Sequence, residues 1–237
     1  MIKLAITGCQ GRMGQRITEL AAQDKEFQIV ALIESPHRED VPEMSHGVKI
    51  VRNIDAIKGA DVLIDFTLPE PTMKNLEACL KHRVRMIIGT TGLSDEQRFE
   101  VKKASQSIAV VQSTNMSVGV NLVFGLLKQM ALALKGYGVA MTETHHVHKK
   151  DAPSGTAKTM AEVIENVTAK KVTDIASVRE GEVIGYHEVT FDGAVDTIKI
   201  SHNAKTRDMF AEGALLAAKF LANKEKGIFN MQEVLGL

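Results

Sequence analysis

Short apolar runs and helix-spaced apolar positions alternate along the first half of the chain. Residues 3–7 form a run rich in branched side chains, fit for a buried strand that ends at Gly8. Over 12–22 the apolar residues Met13, Ile17, Leu20 and Ala21 recur at helical spacing. Strands are expected again at 27–33, 61–66, 85–88 and 107–112. Helices are expected over 70–82, opened by Pro69 and Pro71, and over 94–105, where Ser94 and Gln97 have the spacing of a capping box. Strands separated by helices of this length imply a parallel sheet with right-handed crossovers. Residues 1–116 therefore read as a Rossmann-type, doubly wound parallel-sheet domain.

The pattern changes after that. A long helix over 118–134 leads to a strand over 139–143, a loop rich in His and Lys, and a helix over 154–167. Three strand-like pieces follow at 175–179, 186–191 and 197–202, the last two joined through the turn signal Asp192-Gly193. This is the pattern of an α+β domain over 117–208, with a mostly antiparallel sheet covered by helices on one face. A closing helix over 210–222, within a tail of 209–237, is expected to pack back on the first domain.

Composition narrows the function. Lys and Arg number 29, Asp and Glu also 29, and aromatics make up only 4% of the chain with no Trp. Zero net charge and few stacking rings argue against a nucleic-acid partner. Cys9 and Cys79 are too few for a disulfide or zinc framework, which fits a reducing compartment. The most apolar stretch, 118–134, is broken by Asn121, Lys128 and Gln129, so no membrane-spanning helix is expected.

Gly8-Cys-Gln-Gly11-Arg-Met-Gly14 lies between the first strand and the first helix, where a dinucleotide loop belongs. Glycines there let the backbone turn sharply and approach a pyrophosphate, which meets the unpaired amides of the helix start. Glu34 ends the second strand, placed to accept hydrogen bonds from ribose hydroxyls. A glycine-rich turn with no ligand is the alternative. Cys9 has no local base and reads as a small loop residue. Gly89-Thr-Thr-Gly92 and Ser113-Thr-Asn-Met116 follow the fourth and fifth strands and are expected to border the same crevice.

Three histidines fall within four residues, His145-His-Val-His148, followed by Lys149, Lys150 and Asp151. A proton donor beside an anion-binding group is one reading; a metal site and a solvated polar loop are the others. The helix entry Pro153-Ser-Gly-Thr156 exposes backbone amides that suit a carboxylate. His146, Lys149 and this helix start together describe a pocket for a small acid carrying one or two carboxylates.

The phrase Glu143-Thr-His-His-Val-His-Lys-Lys-Asp-Ala-Pro-Ser-Gly-Thr156 resembles the signature of the 4-hydroxy-tetrahydrodipicolinate reductases, formerly called dihydrodipicolinate reductases. The Gly8–Met13 loop, Ile64-Asp-Phe-Thr67, Ile88-Gly-Thr-Thr-Gly92, Asn115-Met-Ser-Val-Gly-Val-Asn121 and Gly227-Ile-Phe-Asn-Met231 extend the likeness over nearly the whole chain. The resemblance implies NAD(P)H-dependent reduction of a small cyclic dicarboxylate in the diaminopimelate route to lysine, by a cytoplasmic homotetramer assembled through the second domain. By motif, it implies His145 and Lys149 as catalytic proton carriers and His146, Gly155 and Thr156 as substrate contacts. The cofactor would meet Gly8, Cys9, Gln10, Gly11, Arg12, Met13, Glu34, Gly89, Thr90, Thr91, Ser113, Thr114, Asn115 and Met116. No metal is implied.

The chain departs from the family pattern in three places. Relatives that use NADPH well often carry Arg after the acidic residue that ends the second strand, and again after Asp-Phe-Thr. Here those positions are Ser35 and Leu68, so NADH is expected to serve at least as well as NADPH. The stretch 179–191 is also shorter than in many relatives, which bears on the expected tetramer contacts. Two rival readings are another two-domain nicotinamide dehydrogenase, of aspartate or homoserine type, and a nucleotide-sensing protein without catalysis. The His/Lys run before Pro-Ser-Gly-Thr weighs against the first, and the intact His145 and Lys149 weigh against the second.

Overall fold

The computed structural model describes residues 1–237, which divide into two compact units: Met1–Ser117 with Phe210–Gly236, and Val118–Met209 with Leu237. In the first unit the chain runs β1 (Ile2–Thr7), α1 (Arg12–Gln23), β2 (Phe27–Ile33), β3 (Met44–Ser45), β4 (Val48–Val51), β5 (Val62–Asp65), α2 (Pro69–His82), β6 (Arg85–Ile88), α3 (Asp95–Ala104) and β7 (Ala109–Gln112). The second unit holds α4 (Val118–Ala133), β8 (Gly138–His145), α5 (Gly155–Thr168), β9 (Asp174–Arg179), β10 (Tyr186–Asp192) and β11 (Thr197–Asn203). The chain then forms α6 (Asp208–Leu221), which lies in the first unit from Phe210 onward, β12 (Gly227–Phe229) and α7 (Met231–Leu235).

The first unit's sheet has eight strands in the order β12-β7-β6-β5-β1-β2-β4-β3, all pairings parallel except β3 with β4. Successive residues along each strand feed opposite faces, as strand geometry requires. Leu4, Ile6, Val62, Ile64 and Ile87 enter one core with Ile17 of α1 and the alanine face of α6. Ala5, Leu63, Met86, Ile88 and Val110 enter the other with Leu76 of α2 and Val101 of α3. Burial on both faces explains why these strands read as unbroken apolar runs. Ser94 and Gln97 form the capping box their spacing implies.

Five strands of this sheet are expected from the sequence and eight are present. β3 and β12 escape the pattern because two or three residues are too few to be told from loop, and β4 because Lys49 interrupts its apolar run, whereas the equally short β5, β6 and β7 are mostly apolar.

The second unit's sheet has the order β11-β10-β8-β9, antiparallel except for β8 with β9. Met141, Val189 and Phe191 face a core shared with Leu127 of α4 and Met160 and Ile164 of α5. The opposite face carries Thr142, Glu188 and Lys199, with the side chain of Lys199 mostly exposed, and no helix of this unit covers it. β8 runs two residues beyond the expected 139–143, which corrects the reading of His145 as a loop residue: it pairs with Arg179 of β9 and ends the strand. No helix is long and apolar enough to cross a membrane.

Candidate active site

In the first unit the candidate cofactor residues lie at the carboxyl ends of the parallel strands. The chain winds from β1 outward to β2 and β4, then returns to β5 and proceeds outward to β6 and β7. The glycine loop after β1 thus borders the point where the winding reverses, the usual ligand crevice of such sheets. Gly8 adopts φ +61, and a Cβ on Gly14 would lie 2.1 Å from the Gly8 carbonyl oxygen, so the turn closes only over glycine. α1 starts from Gly11 with no side-chain cap and no acidic residue in its first turn. Its first amides and its positive end are therefore left for an anion.

Glu34 is buried at the end of β2, where Oε2 accepts from the Gln10 amide and Oε1 from the Ser35 amide, each at 2.8 Å. Each carboxylate oxygen keeps a second lone pair for a ribose hydroxyl. These features fit a dinucleotide. Cys9 and Met116 bury their side chains in the core, so only their backbone can serve a ligand, and Met13 packs half-buried against the same core. Burial, with Glu34 nearby, pushes the Cys9 thiol up to about 11, so it is no nucleophile at neutral pH. Gly89, Thr90 and Thr91 follow β6, and Ser113 to Met116 follow β7. There Asn115 Oδ1 accepts from the Ser117 amide, and Ser113 Oγ donates to the Asn115 carbonyl.

Asp65 lies beneath these loops with no exposed surface. Oδ1 accepts from the hydroxyls of Thr7 and Thr67 and the amide of Asn75, and Oδ2 from the hydroxyl of Thr72. Thr72 also reaches Thr90 Oγ1, which in turn accepts from the Thr67 amide, so one carboxylate ties the ends of β1, β5 and β6 to α2.

The second unit's site continues its core upward along the same sheet face. Opposed residues form rows across the strands. The core row is Ile200, Val189, Met141 and Ile175; the next is His202, His187, Glu143 and Ser177; the last pairs His145 with Arg179. Glu143 has no exposed surface and accepts from His145 Nδ1, from both terminal nitrogens of Arg179 (2.9 and 3.1 Å) and from the Ser154 amide at 3.2 Å. Burial would raise its carboxyl, but hydrogen bonds from Arg179, Ser177 and His145 hold it below the ordinary carboxylate range. Burial lowers His145, and Glu143 only partly offsets it, so the ring is neutral at rest.

His187 packs edge-on against His145, ring centroids 5.1 Å apart, and its Nε2 lies 3.0 Å from Ser154 Oγ. Burial, with His145 adjacent, pushes His187 down to about 4. Ser154 caps α5 by accepting from the Ala157 amide, leaving Gly155 exposed at the helix start. Lys149 pairs with Asp151 at 2.8 Å, and His146 keeps a buried Nδ1 without a partner. The three clustered histidines do not converge on one point: His145 faces Glu143 and His187, while the rings of His146 and His148 lie 6.1 Å apart.

Glu143, Arg179, His187 and Asp65 are the site residues the sequence reading did not name. Glu143 had a signal, because it stands two residues before His145 and so on the same strand face. Arg179 and His187 arrive through strand pairings that local spacing does not encode.

The family model described as dihydrodipicolinate reductase, N-terminus, matches residues 2–116, and the one described as dihydrodipicolinate reductase, C-terminus, matches residues 119–235. A protein of Syntrophotalea carbinolica named 4-hydroxy-tetrahydrodipicolinate reductase is 40% identical over 266 residues, covering all of both chains. One of the same name from Nitrosomonas europaea is 39% identical over 264 residues, covering 100% of this chain and 98% of its own. Both aligned spans exceed the 237 residues of this chain, so these relatives carry residues it lacks. The dipicolinate-bound dihydrodipicolinate reductase from Paenisporosarcina sp. TG-14 shares the fold, with a TM-score of 0.82 at 24% identity and 98% of each chain covered.

Proposed function

The chain belongs to the dihydrodipicolinate reductase family, and from that premise we propose that it reduces 4-hydroxy-tetrahydrodipicolinate to tetrahydrodipicolinate with NAD(P)H, in the diaminopimelate route to lysine. The reaction consumes one hydride and one proton and releases water. The observation that carries this reading is the buried Glu143–His145 pair at the end of β8, followed within eleven residues by Lys149 and the open start of α5.

When bound, the dihydronicotinamide supplies the hydride. Gly8 to Met13 hold the diphosphate through backbone amides, Glu34 takes the ribose, and the loops Gly89–Thr91 and Ser113–Met116 line the remainder. In the second unit His146, Gly155 and Thr156 bind the acid, with the start of α5 supplying amides and a positive end to a carboxylate. Lys149 adds fixed positive charge and, with His145, serves the proton delivered to the electron-rich atom of the reduced imine. The protein's share is alignment, carboxylate neutralisation and proton delivery.

NADH serves at least as well as NADPH in this reading, because Glu34 is buried against the glycine loop and would oppose a 2′-phosphate. Arg52 donates to the carbonyls of Ser35 and Arg38, in the segment that follows Glu34, and Arg38 acts electrostatically on Cys9 of the glycine loop. Residues 1–116 with 209–237 serve as the dinucleotide-binding domain, and 117–208 bind substrate and assemble a cytoplasmic homotetramer. The uncovered face of the second sheet supports that assembly.

The test is oxidation of NADH and of NADPH in the presence of freshly generated dihydrodipicolinate-synthase product. Turnover that depends on that product is expected. Cofactor binding without any turnover would leave only the nucleotide-sensing alternative.

A further inference from the structure

Glu143 and Arg179 have no part in the chemistry stated so far, yet together they are the most heavily bonded charged pair in the second unit. Arg179 has five N–H donors, and all five are engaged. Two go to Glu143, at 2.9 and 3.1 Å. The others go to the backbone carbonyls of Lys149 (3.3 Å), Asp151 (2.6 Å) and Val178 (2.6 Å). A saturated guanidinium has no donor left for a substrate carboxylate, so this arginine acts on other parts of the protein. It reaches two of them: the carboxylate that faces His145 and the backbone of the loop that carries Lys149.

The other partners of Glu143 define the ring's state. A carboxylate against Nδ1 keeps the ring proton on that nitrogen, which leaves Nε2 as the basic atom of the neutral ring. Nε2 lies against Gly185, just before β10, where a Cβ would stand only 3.1 Å away, so a glycine there leaves that nitrogen uncrowded. The charged and titratable groups around the ring are Glu143 from β8, Arg179 from β9, His187 from β10 with His202 of β11 beyond it, and Lys149 with Asp151 from the loop before α5.

We propose that Glu143 is the positioning residue for His145, holding the Nδ1–H tautomer so that Nε2 alone exchanges the catalytic proton, and that Arg179 locks Glu143 and the Lys149 loop into one unit. This rests on the reductase reading. In the step, Nε2–H of the imidazolium gives its proton to the reduced imine, and the ring returns to the neutral form with Nδ1–H still bonded to Glu143. The positive form then reloads from water, and Glu143 remains ionised throughout.

Two measurements test this. Nitrogen-15 spectra of the histidine-labelled wild-type protein, with His145 assigned by its absence in His145→Gln, need no turnover. The Nδ1–H tautomer is expected for that ring, and an Nε2–H tautomer or an even mixture would overturn the proposal even if the enzyme is an active reductase. The second compares Glu143→Gln with wild type, and Arg179→Lys serves as the milder variant should the first not fold. Glu143→Gln is expected to lower kcat by about tenfold or more with KM and NADH affinity changed by less than about threefold. It is also expected to move the alkaline limb of kcat, where the imidazolium loses its proton, to lower pH, because the group that raises the His145 pKa has lost its charge. A lowered melting temperature with the limb and kcat unmoved would show a purely structural pair. Absence of turnover in the wild type would defeat the reductase reading while leaving the tautomer result to judge the pair.

Discussion

Asp65 and Glu143 are both carboxylates with no exposed surface, one in each unit, and they are satisfied in opposite ways. Asp65 draws its hydrogen bonds from four hydroxyls and a primary amide, all neutral. Glu143 draws its own chiefly from a guanidinium and an imidazole, with the Ser177 hydroxyl and one backbone amide beside them. Neutral donors fix where loops sit without steering a proton, whereas cationic and titratable donors make the carboxylate part of an electrostatic circuit. The first unit is thereby built to present backbone to a ligand, and the second to present side chains of controlled charge. The same difference shows in their helix starts, one uncapped behind glycines and one capped by Ser154 beside His187.

The largest expected effect probes that division directly. His145→Gln is expected to lower kcat by roughly 10²- to 10⁴-fold, the usual worth of a positioned acid–base group. Equilibrium binding of NADH, followed by nicotinamide fluorescence, is expected to stay within about twofold of wild type. Loss of cofactor binding in this variant would end the contrast between a backbone-built and a side-chain-built site.

A second effect concerns stability. His187 titrates at about 4 in the folded protein, whereas a histidine of the unfolded chain titrates near ~6.5. Between those values the unfolded chain binds the extra proton, so stability is intact above about pH 6.5 and declines as the pH falls toward 4. The full difference amounts to about 3 kcal/mol at the acid end. His187→Gln is expected to flatten this part of the curve, as measured by urea unfolding at pH 7 and pH 4.5. A constant offset between variant and wild type at both pH values would show that His187 is charged or exposed in the native state.

What the sequence made legible follows the same divide. The first unit's parallel strands, its glycine loop and Glu34 are local signals, each readable from a few adjacent residues, and the capping box at Ser94 is another. The second unit's site is assembled by strand pairing. Arg179 reaches Glu143 across β8 and β9, and His187 comes from β10, separations of 36 and 44 residues from Glu143 that no local period reveals. His145 looked like a loop residue because its polar neighbours mask the strand alternation. The alternation holds only once Glu143 and His145 are recognised as buried polar residues on the core face. β3 and β12 have too few residues to show any pattern, and in β4 Lys49 breaks the apolar run that marks the equally short β5, β6 and β7.

Asp65→Asn is the counterpart experiment on the first carboxylate. It places an amide N–H among donors already aimed at the site, leaving at least one of them unsatisfied, and is expected to cost about 1–3 kcal/mol of stability. Because the neutral hub does not steer a proton, the alkaline limb of kcat is expected to stay where it is in wild type, with the loss appearing in the KM for NADH through the displaced Thr90 loop. A moved limb in Asp65→Asn would erase the distinction drawn between the two carboxylates.

The smallest effect lies in cofactor choice, which turns on Glu34, the carboxylate proposed to take the ribose. Glu34 is held by amides on both oxygens and cannot swing away to admit a 2′-phosphate without giving up the Gln10 bond that shapes the glycine loop. Arg52 donates to the carbonyls of Ser35 and Arg38 in the segment after Glu34, so recruiting it for a phosphate costs those bonds in turn. The two effects oppose one another, and the ratio of kcat/KM for NADH to that for NADPH is expected to lie between about one and ten. Since tenfold corresponds to ~1.4 kcal/mol, a tenfold preference for NADPH would require that much phosphate binding from cations such as Arg12 or Arg38. Glu34→Gln separates the possibilities: it is expected to raise NADPH efficiency by several-fold and lower that of NADH, whereas a fall in both would mean that Glu34 serves the loop and not the ribose.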